Sequence, residues 1–330
     1  MSAQREMARR VVDLRRTAGS AVVHGFFHGL ATLGALHPRA RPERHGVIVE
    51  RDVPYVDRGG PEHRLDVYRP AHAEGPRPVV LYVHGGGFRI LSKDTHWLMG
   101  LYFARRGYVV FNIGYRLAPR HPFPAAVEDS ADALAWVVRN AHRYGGDPER
   151  IVLAGESAGA NLVTSLTLAC CYERDEPYAA RVFDLGVRPR ATLPACGIFQ
   201  VSDVDRFRRR RPDLSPIVMD RLEEISEAYL GRDHGVHGRA LELADPLCFL
   251  ERGARPTRPL PPFFLPVGTK DPLLDDTRRL TRALEALGAE VDTRFYEGEI
   301  HAFHALIFRP AARACWKHAF DFLDRHCPPG

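Results

Sequence analysis

Short apolar runs alternate with helix-like segments from about residue 46 to the end of the chain. The runs at 77–85 and 108–116 are continuously apolar and rich in valine, as expected for strands that are buried on both faces. After them, apolar residues recur at helical spacing, for example over 125–142. Strands that alternate with helices form a mostly parallel sheet covered on both sides, so the pattern predicts an α/β fold.

The alternation predicts a central sheet of about eight strands flanked by helices, opening with an antiparallel pair. Residues 202–244 interrupt it as an insertion, in which apolar spacing from Val218 to Tyr229 predicts a further helix. The predicted strands are 47–56, 64–70, 77–85, 108–116, 150–155, 191–200, 261–268 and 290–298, and the predicted core helices are 94–106, 125–142, 158–171, 276–287 and 311–326.

A pentapeptide at the end of one predicted strand carries a chemical signal. Residues 155–159 read GESAG, which fits the pattern G-x-S-x-G, and the helix predicted at 158–171 follows directly. Strand, sharp turn and helix are the context of a nucleophile elbow, in which the serine is exposed on a strained turn. The alternative is an ordinary glycine-rich turn. We therefore take Ser157 as the candidate nucleophile.

A serine hydroxyl needs a base to take its proton and an acid to orient that base. In the elbow context the three residues follow in the order serine, acid, histidine. Asp271 comes directly after the strand predicted at 261–268, at the end of the sheet where ligand-facing residues gather. Asp275 and Asp276 are better placed to cap the helix that follows. Position alone thus favours Asp271 as the acid.

Two histidines compete for the role of base. His301 comes first after the strand predicted at 290–298 and lies in a loop, whereas His304 is placed to enter helical or core structure. A lone histidine is more often structural than catalytic, but His301 follows Ser157 and Asp271 in the required order. We therefore favour His301 as the base.

Three glycines in succession, Gly85 to Gly87, follow His84 at the end of a predicted strand. Attack on an acyl carbonyl places negative charge on its oxygen, and preorganised backbone N–H groups stabilise that charge. A loop without Cβ atoms supplies such donors, which we expect to be the amides of Gly86, Gly87 and Ala158. The alternative is a phosphate-binding loop, but the Walker Lys-Ser/Thr pair and the GxGxxG spacing are both missing.

Five motifs occur in order along the chain: HGGGF, YRLAPRHPFPAAVED, GESAGANL, GTKDPLLDD and IHAF. With these motifs the chain resembles the hormone-sensitive-lipase-like carboxylesterases, a branch of the α/β-hydrolases, over about residues 47–326. The resemblance implies an α/β-hydrolase fold with Ser157, Asp271 and His301 as a catalytic triad. It also implies the same oxyanion donors and no metal or cofactor.

Members of this family carry a cap over the active site, made from an N-terminal helical segment and an insertion. The resemblance therefore implies a helical cap formed by residues 1–45 and by the insertion at about 202–244. The catalytic domain would comprise residues 46–330.

The chain departs from the family's usual motifs at positions outside the triad. Glu156 stands where the family usually has Asp, Ala160 where it has Gly, and Arg120 where it has an acidic residue. Arg120 argues against a salt link that the family normally has near that turn. We also expect Phe88, which follows the glycines, and Glu156, which precedes the nucleophile, to bind substrate.

Composition narrows the choice of partners. The formal net charge is +5 and the pI about 9.0, and the most basic run includes Arg206 and Arg208 to Arg211. No recognition motif or basic helix accompanies the run, so we interpret it as a solvated face and expect no nucleic-acid partner. Six cysteines without a CxxC pair offer no zinc spacing and favour a reducing cytoplasm.

The N-terminus allows more than one interpretation. Arginines between residues 5 and 16 precede an apolar stretch at 21–36, as in a signal peptide, but the stretch is too short to span a bilayer. Met7, Val11 and Leu14 are spaced as in an amphipathic helix. We favour a helical flap on the domain, with contact to a membrane surface through residues 21–36 or a cleaved signal as alternatives.

These inferences predict a cytoplasmic serine carboxylesterase that acts on short- to medium-chain acyl esters through an acyl-enzyme. An amidase, a deacetylase or a peptidase is one alternative, because the same triad serves all of them. A non-catalytic ligand receptor on this fold is another, which the presence of His301 disfavours. The family often pairs through an edge strand, so a homodimer is a further expectation.

Overall fold

The fold is described from a computed structural model of the chain. The structure describes residues 16, 19, 25, 28, 29, 31–231 and 241–330. The spacing from Met7 to Leu14, part of the apolar stretch 21–36 and residues 232–240 of the insertion lie outside the described residues.

An eight-stranded sheet forms the centre of the described chain. Its strands are β1 (Val47–Pro54), β2 (Arg64–Pro70), β3 (Arg77–Val83), β4 (Val109–Ile113), β5 (Gly146–Glu156), β6 (Ala191–Ala195), β7 (Phe263–Gly268) and β8 (Val291–Tyr296). They lie in the order β1-β2-β4-β3-β5-β6-β7-β8. The pairs β1–β2 and β2–β4 are antiparallel and the remaining pairs are parallel. The prediction of a mostly parallel sheet that opens with an antiparallel pair is confirmed.

Helices pack on both faces of this sheet. They are α1 (Trp97–Ala104), α2 (Ala125–Asn140), α3 (Ala158–Cys171), α4 (Pro177–Asp184), α5 (Asp205–Arg210), α6 (Pro216–Leu230), α7 (Pro246–Glu251), α8 (Leu274–Ala286) and α9 (Pro310–His326). The sequence analysis does not predict α4, α5 and α7, which are eight, six and six residues long. Among the helices of the described residues, none is long and apolar enough to cross a membrane.

Alternate residues of β3 contribute to two different cores. Val79 and Leu81 belong to the larger apolar cluster, with residues of α2 and α3, whereas Val80 and Tyr82 belong to a second cluster with α1 and α9. Burial on both faces explains why the sequence of this strand is a continuous apolar run. Because the strands from β3 to β8 run parallel to one another, their carboxyl ends meet at one rim of the sheet, where ligands bind in open α/β sheets.

The arginine run is not simply a solvated face. Arg206 is only 2% exposed, and its Nε and Nη2 lie 3.1 Å and 2.7 Å from the two oxygens of the buried Asp276 carboxylate. Asp276 also accepts hydrogen bonds from the backbone amides of Phe199 and Gln200. The expectation that Asp276 caps the helix is therefore wrong. Its carboxylate joins α8 to α5 in the insertion.

Arg16 of the N-terminal segment contacts the insertion directly. Arg16 is 8% exposed, and its guanidinium lies 3.0 Å from Asp220 and 2.8 Å from Glu227, both on α6. Further along, the indole N–H of Trp97 donates to the carbonyl of Ala31 at 3.1 Å. These contacts attach the N-terminal segment both to α6 and to the start of α1.

Candidate active site

Ser157 lies in the sharp turn between β5, which ends at Glu156, and α3, which begins at Ala158. Its φ is 55° and its ψ is −114°, a backbone conformation that L residues adopt at a cost of about 1–3 kcal/mol. Its N–H donates to the carbonyl of Ala195 on the neighbouring strand at 2.9 Å. The structure thus places Ser157 in the strained turn that the motif predicts.

The glycines on either side of Ser157 allow a very close approach of strand and helix. A Cβ on Gly159 would lie 2.0 Å from the carbonyl oxygen of Val83 on β3, and one on Gly155 would lie 2.7 Å from the backbone of Gly159. In both cases the obstructing atoms are backbone, so a side chain could not be accommodated by a rotamer change. Only glycine lets α3 begin this close to the sheet.

Two loops at the same rim bring Asp271 and His301 to Ser157. The Nε2 atom of His301 lies 3.0 Å from Ser157 Oγ, and its Nδ1 lies 2.8 Å from Asp271 Oδ2. Asp271 is fully buried, and its other carboxylate oxygen accepts the N–H of Leu273 at 2.8 Å. The three residues that the sequence selects therefore form one hydrogen-bonded line.

Two opposing effects act on the pKa of His301. Burial lowers it, but the Asp271 carboxylate and the neighbouring Cys196 thiol outweigh burial and raise the pKa well above its ordinary value of 6.5. The charged imidazolium is therefore favoured next to Asp271. That is the form a histidine base takes after it accepts a proton from serine.

The glycine loop after β3 adopts backbone conformations that suit glycine. Gly86 has a φ of 113°, and a Cβ there would lie 2.0 Å from the carbonyl oxygen of Ile90, while Gly87 has a φ of 59°. Within the described part of the chain, no acceptor is found for the N–H groups of Gly86, Gly87 or Ala158. Ala158 opens α3, where amides lack helical partners and the helix dipole favours negative charge. The three predicted amides are thus free to donate.

Phe88 and Glu156 do not lie where a substrate could contact their side chains. Phe88 is fully buried and stacks on Tyr229 of α6, with the ring centroids 3.7 Å apart. Glu156 is 6% exposed and contacts buried histidines. The expectation that these two residues bind substrate is therefore corrected: Phe88 packs the glycine loop against α6, and Glu156 belongs to a buried network.

Two histidines flank the Glu156 carboxylate. His96 Nε2 donates to Oε1 at 2.6 Å, and His304 Nε2 lies 3.0 Å from Oε2. Burial alone would raise the pKa of Glu156, but the two histidines lower it well below its ordinary value. The sequence correctly assigns His304 to the core, but it does not reveal the network. The one available signal is the unusual glutamate beside the nucleophile, since a buried carboxylate needs a partner.

Known proteins with similar sequences are esterases, in agreement with the geometry of the site. Residues 80–305 match the family described by its α/β-hydrolase fold. Carboxylesterase NlhH of Mycobacterium tuberculosis H37Rv is 32% identical over 285 residues, which are 84% of this chain and 82% of the relative. Esterase LipI of the same organism is 31% identical over 243 residues, 71% of this chain and 67% of the relative.

Solved structures agree on the fold. Esterase LipW from Mycobacterium marinum is 25% identical with a TM-score of 0.69, over 91% of this chain and 88% of that one. A bacterial heroin esterase has a TM-score of 0.76 over 94% and 92% of the two chains, and its 24% identity supports the fold alone.

The fold, the site and these relatives together define a carboxylic ester hydrolase. The chain belongs to the α/β-hydrolase fold family, in the branch that contains the carboxylesterases named above.

Proposed function

We propose that the chain is a serine carboxylesterase for short- to medium-chain acyl esters, with Ser157 as nucleophile, His301 as base and Asp271 as orienting acid. The observation that carries the proposal is the pair of hydrogen bonds, 3.0 Å from Ser157 Oγ to His301 Nε2 and 2.8 Å from His301 Nδ1 to Asp271 Oδ2. The strained turn at Ser157 and the buried carboxylate of Asp271 support the same roles.

In this arrangement His301 Nε2 accepts the hydroxyl proton while Ser157 Oγ bonds to the ester carbonyl carbon. The carbonyl π electrons move onto its oxygen and form a tetrahedral oxyanion. Asp271 stabilises the resulting imidazolium and keeps the ring oriented. The imidazolium then protonates the leaving alcohol as the acyl-serine forms. Water repeats the sequence with His301 as base and releases the carboxylic acid.

The amides of Gly86, Gly87 and Ala158 are the proposed donors to the oxyanion. Support comes from their lack of acceptors in the described chain and from the position of Ala158 at a helix N-terminus. The loss of one such donor typically costs about 2.7–4 kcal/mol of transition-state stabilisation. These donors require no ordered water and no side chain, because they are part of the backbone.

We further propose that residues 1–45 and about 202–244 form a cap on the catalytic domain 46–330, and that the cap sets the substrate range. The ion pairs of Arg16 with α6 support a joint cap. The stack of α6 on the glycine loop supports its position beside the site.

The proposed setting is the cytoplasm, with a small-molecule ester as substrate and no nucleic-acid partner. All six cysteines are free thiols, which fits a reducing compartment. A homodimer, and contact with a membrane surface through residues 21–36, stay predictions.

The decisive experiment compares Ser157→Ala with Ser130→Ala on p-nitrophenyl esters. Ser130 is a matched control, because its hydroxyl is buried and bonds only the carbonyl of Ala126 in its own helix. We expect kcat to fall about 10⁶-fold in the first variant and to stay near wild type in the second. Near-normal turnover by Ser157→Ala, or failure of the wild type to react with a fluorophosphonate probe, would remove the proposal.

Substrate range is tested with a panel of esters of graded acyl length and a matched set of amides. We expect kcat/KM to peak at short to medium acyl chains and to be higher for each ester than for its amide. A preference for the amides would instead support the amidase alternative.

A further inference from the structure

Cys196 lies between two of the proposed catalytic residues. Strand β6 is placed between β5 and β7 in the sheet, so the loops that follow these strands are neighbours. Ser157 follows β5, Asp271 follows β7, and Cys196 is the first residue after β6. Its N–H donates to the carbonyl of Pro266 on β7 at 3.0 Å, and its φ is 40°. The proposed reaction makes no use of its thiol.

Three metal-ligating side chains converge at this point. One ligand atom from each of Cys196, Asp271 and His301 lies within 4.8 Å of the other two, and in the described part of the chain no other group of three or more His, Cys, Asp or Glu converges in this way. Thiolate, imidazole and carboxylate are the ligands that Zn²⁺ prefers, at about 2.0–2.3 Å. A tetrahedral ion at those bond lengths separates its ligands by roughly 3.3–3.8 Å, so small side-chain movements suffice.

We propose that Cys196, Asp271 and His301 form an inhibitory binding site for a thiophilic divalent cation such as Zn²⁺. The inference rests on the proposed function, because inhibition follows from the roles of Asp271 and His301. A bound cation takes a ring nitrogen of His301 and an oxygen of Asp271 as ligands. The ring is then no longer held by the Asp271 hydrogen bond in the orientation that serves Ser157. The cation is an inhibitor and not a cofactor.

Cation binding releases protons to solvent, and the cation can reach the site from outside. A bound divalent cation deprotonates a coordinating thiol, and that proton passes to solvent. The imidazole binds in its neutral form, so any proton on the ring nitrogen that takes the cation also passes to solvent, and the other ring nitrogen keeps its proton. Although Cys196 is 1% exposed, the His301 side chain is 34% exposed, so the cation enters from the substrate side.

Inhibition is tested with Zn²⁺ in chelator-treated buffer on the wild type, Cys196→Ser and Cys248→Ser. Cys248 is the matched control, because it is also a free thiol but lies on α7. Each rate is normalised to the variant's own rate without metal. We expect Zn²⁺ to inhibit the wild type and Cys248→Ser, and EDTA to reverse that inhibition. In Cys196→Ser the concentration for half inhibition should rise by at least about 10-fold. Equal sensitivity of all three proteins would overturn the proposal.

Cobalt provides a readout that does not depend on activity. We expect Co²⁺ to produce a thiolate-to-cobalt charge-transfer band in the wild type and in Ser157→Ala, and not in Cys196→Ser. If Ser157→Ala still hydrolyses esters but the band follows Cys196, the proposed function fails and the metal site stands. If Ser157→Ala is inactive and the wild type shows no band, the metal site fails alone. Circular dichroism establishes that Cys196→Ser is folded.

Discussion

His96 donates a hydrogen bond of 2.6 Å to Glu156, the residue directly before the proposed nucleophile. Burial would lower the pKa of His96, but the Glu156 carboxylate raises it above its ordinary value of 6.5. The neighbouring His84 behaves in the opposite way, since burial and the charge on His96 lower its pKa to about 3. A buried ion pair therefore lies beneath the turn that carries Ser157.

Glu156→Gln should destabilise the protein strongly. The substitution keeps the shape of the side chain but removes the charge that stabilises His96, and breaking a buried ion pair typically costs about 3–5 kcal/mol. Urea denaturation measures the loss in free energy of unfolding. Glu50→Gln is the control, because Glu50 is exposed on β1, and its effect should stay within about 0.5 kcal/mol.

The loss in free energy of unfolding caused by Glu156→Gln should be larger at acidic than at alkaline pH. The lowered pKa of Glu156 stabilises the fold above its ordinary pKa of 4.5, and this gain is lost as pH falls through the folded pKa. The raised pKa of His96 stabilises the fold below 6.5 and is lost as pH rises through its folded pKa. The difference between wild type and variant should be larger at about pH 5.5 than at about pH 9. A pH-independent difference would argue against the charged pair.

Asp271→Asn should lower kcat and shift its pH dependence. The proposed base must be neutral to accept a proton, so we expect the rate to rise with pH through the pKa of His301, which the Asp271 carboxylate raises above 6.5. Removing the carboxylate charge lowers that pKa, so the acid limb of kcat should move to lower pH. At the plateau kcat should be about 10⁴-fold smaller, because the ring loses its orienting acid. An unshifted acid limb would mean that another group controls it.

Gly86→Ala should damage catalysis more than binding. The added Cβ would meet the carbonyl oxygen of Ile90 at 2.0 Å at a φ of 113°, so the loop must move and carry its amides with it. We expect kcat to fall about 10²–10³-fold, the typical effect of losing one oxyanion donor. Gly29→Ala is the control, because nothing lies within 4 Å of a Cβ at that position. Wild-type kcat in folded Gly86→Ala would exclude this loop from the reaction.

Arg206→Ala should cost far more stability than Arg209→Ala, although both arginines belong to one run. Arg206 binds the buried Asp276 through two nitrogens, and its loss leaves a buried carboxylate, at about 3–5 kcal/mol. The Arg209 side chain is 63% exposed and binds Asp203, so its loss should cost at most about 1 kcal/mol. Thermal and urea denaturation of the two variants measure the contrast. Equal effects would contradict the buried ion pair.

What could be predicted from the sequence was encoded locally. The apolar run of β3 and the helix at 158–171 follow from neighbouring residues, and the elbow places Ser157 within a five-residue motif. Asp271 and His301 could be selected because chain order and strand ends restrict the choice to a few residues.

The contacts that the sequence does not reveal are pairings between distant segments. Arg206 and Asp276 are 70 residues apart, and His96 and Glu156 are 60 apart, so neither motif nor periodicity connects them. The buried arginine therefore looks like part of a surface run. The expectation that Phe88 binds substrate has a similar origin, because its partner Tyr229 lies in the insertion and the sequence does not show that α6 covers Phe88.

The stack of Phe88 on Tyr229 joins α6, part of the proposed cap, to the glycine loop after β3. A Cβ on Gly87 would lie 2.8 Å from Ile225 of the same helix, so α6 rests on the loop that carries the proposed oxyanion donors. Any outward tilt of α6 that admits a bulkier acyl group would also loosen that loop. We therefore expect breadth of substrate acceptance and speed of turnover to oppose each other, and mutations that widen the entrance to slow the reaction even for small esters.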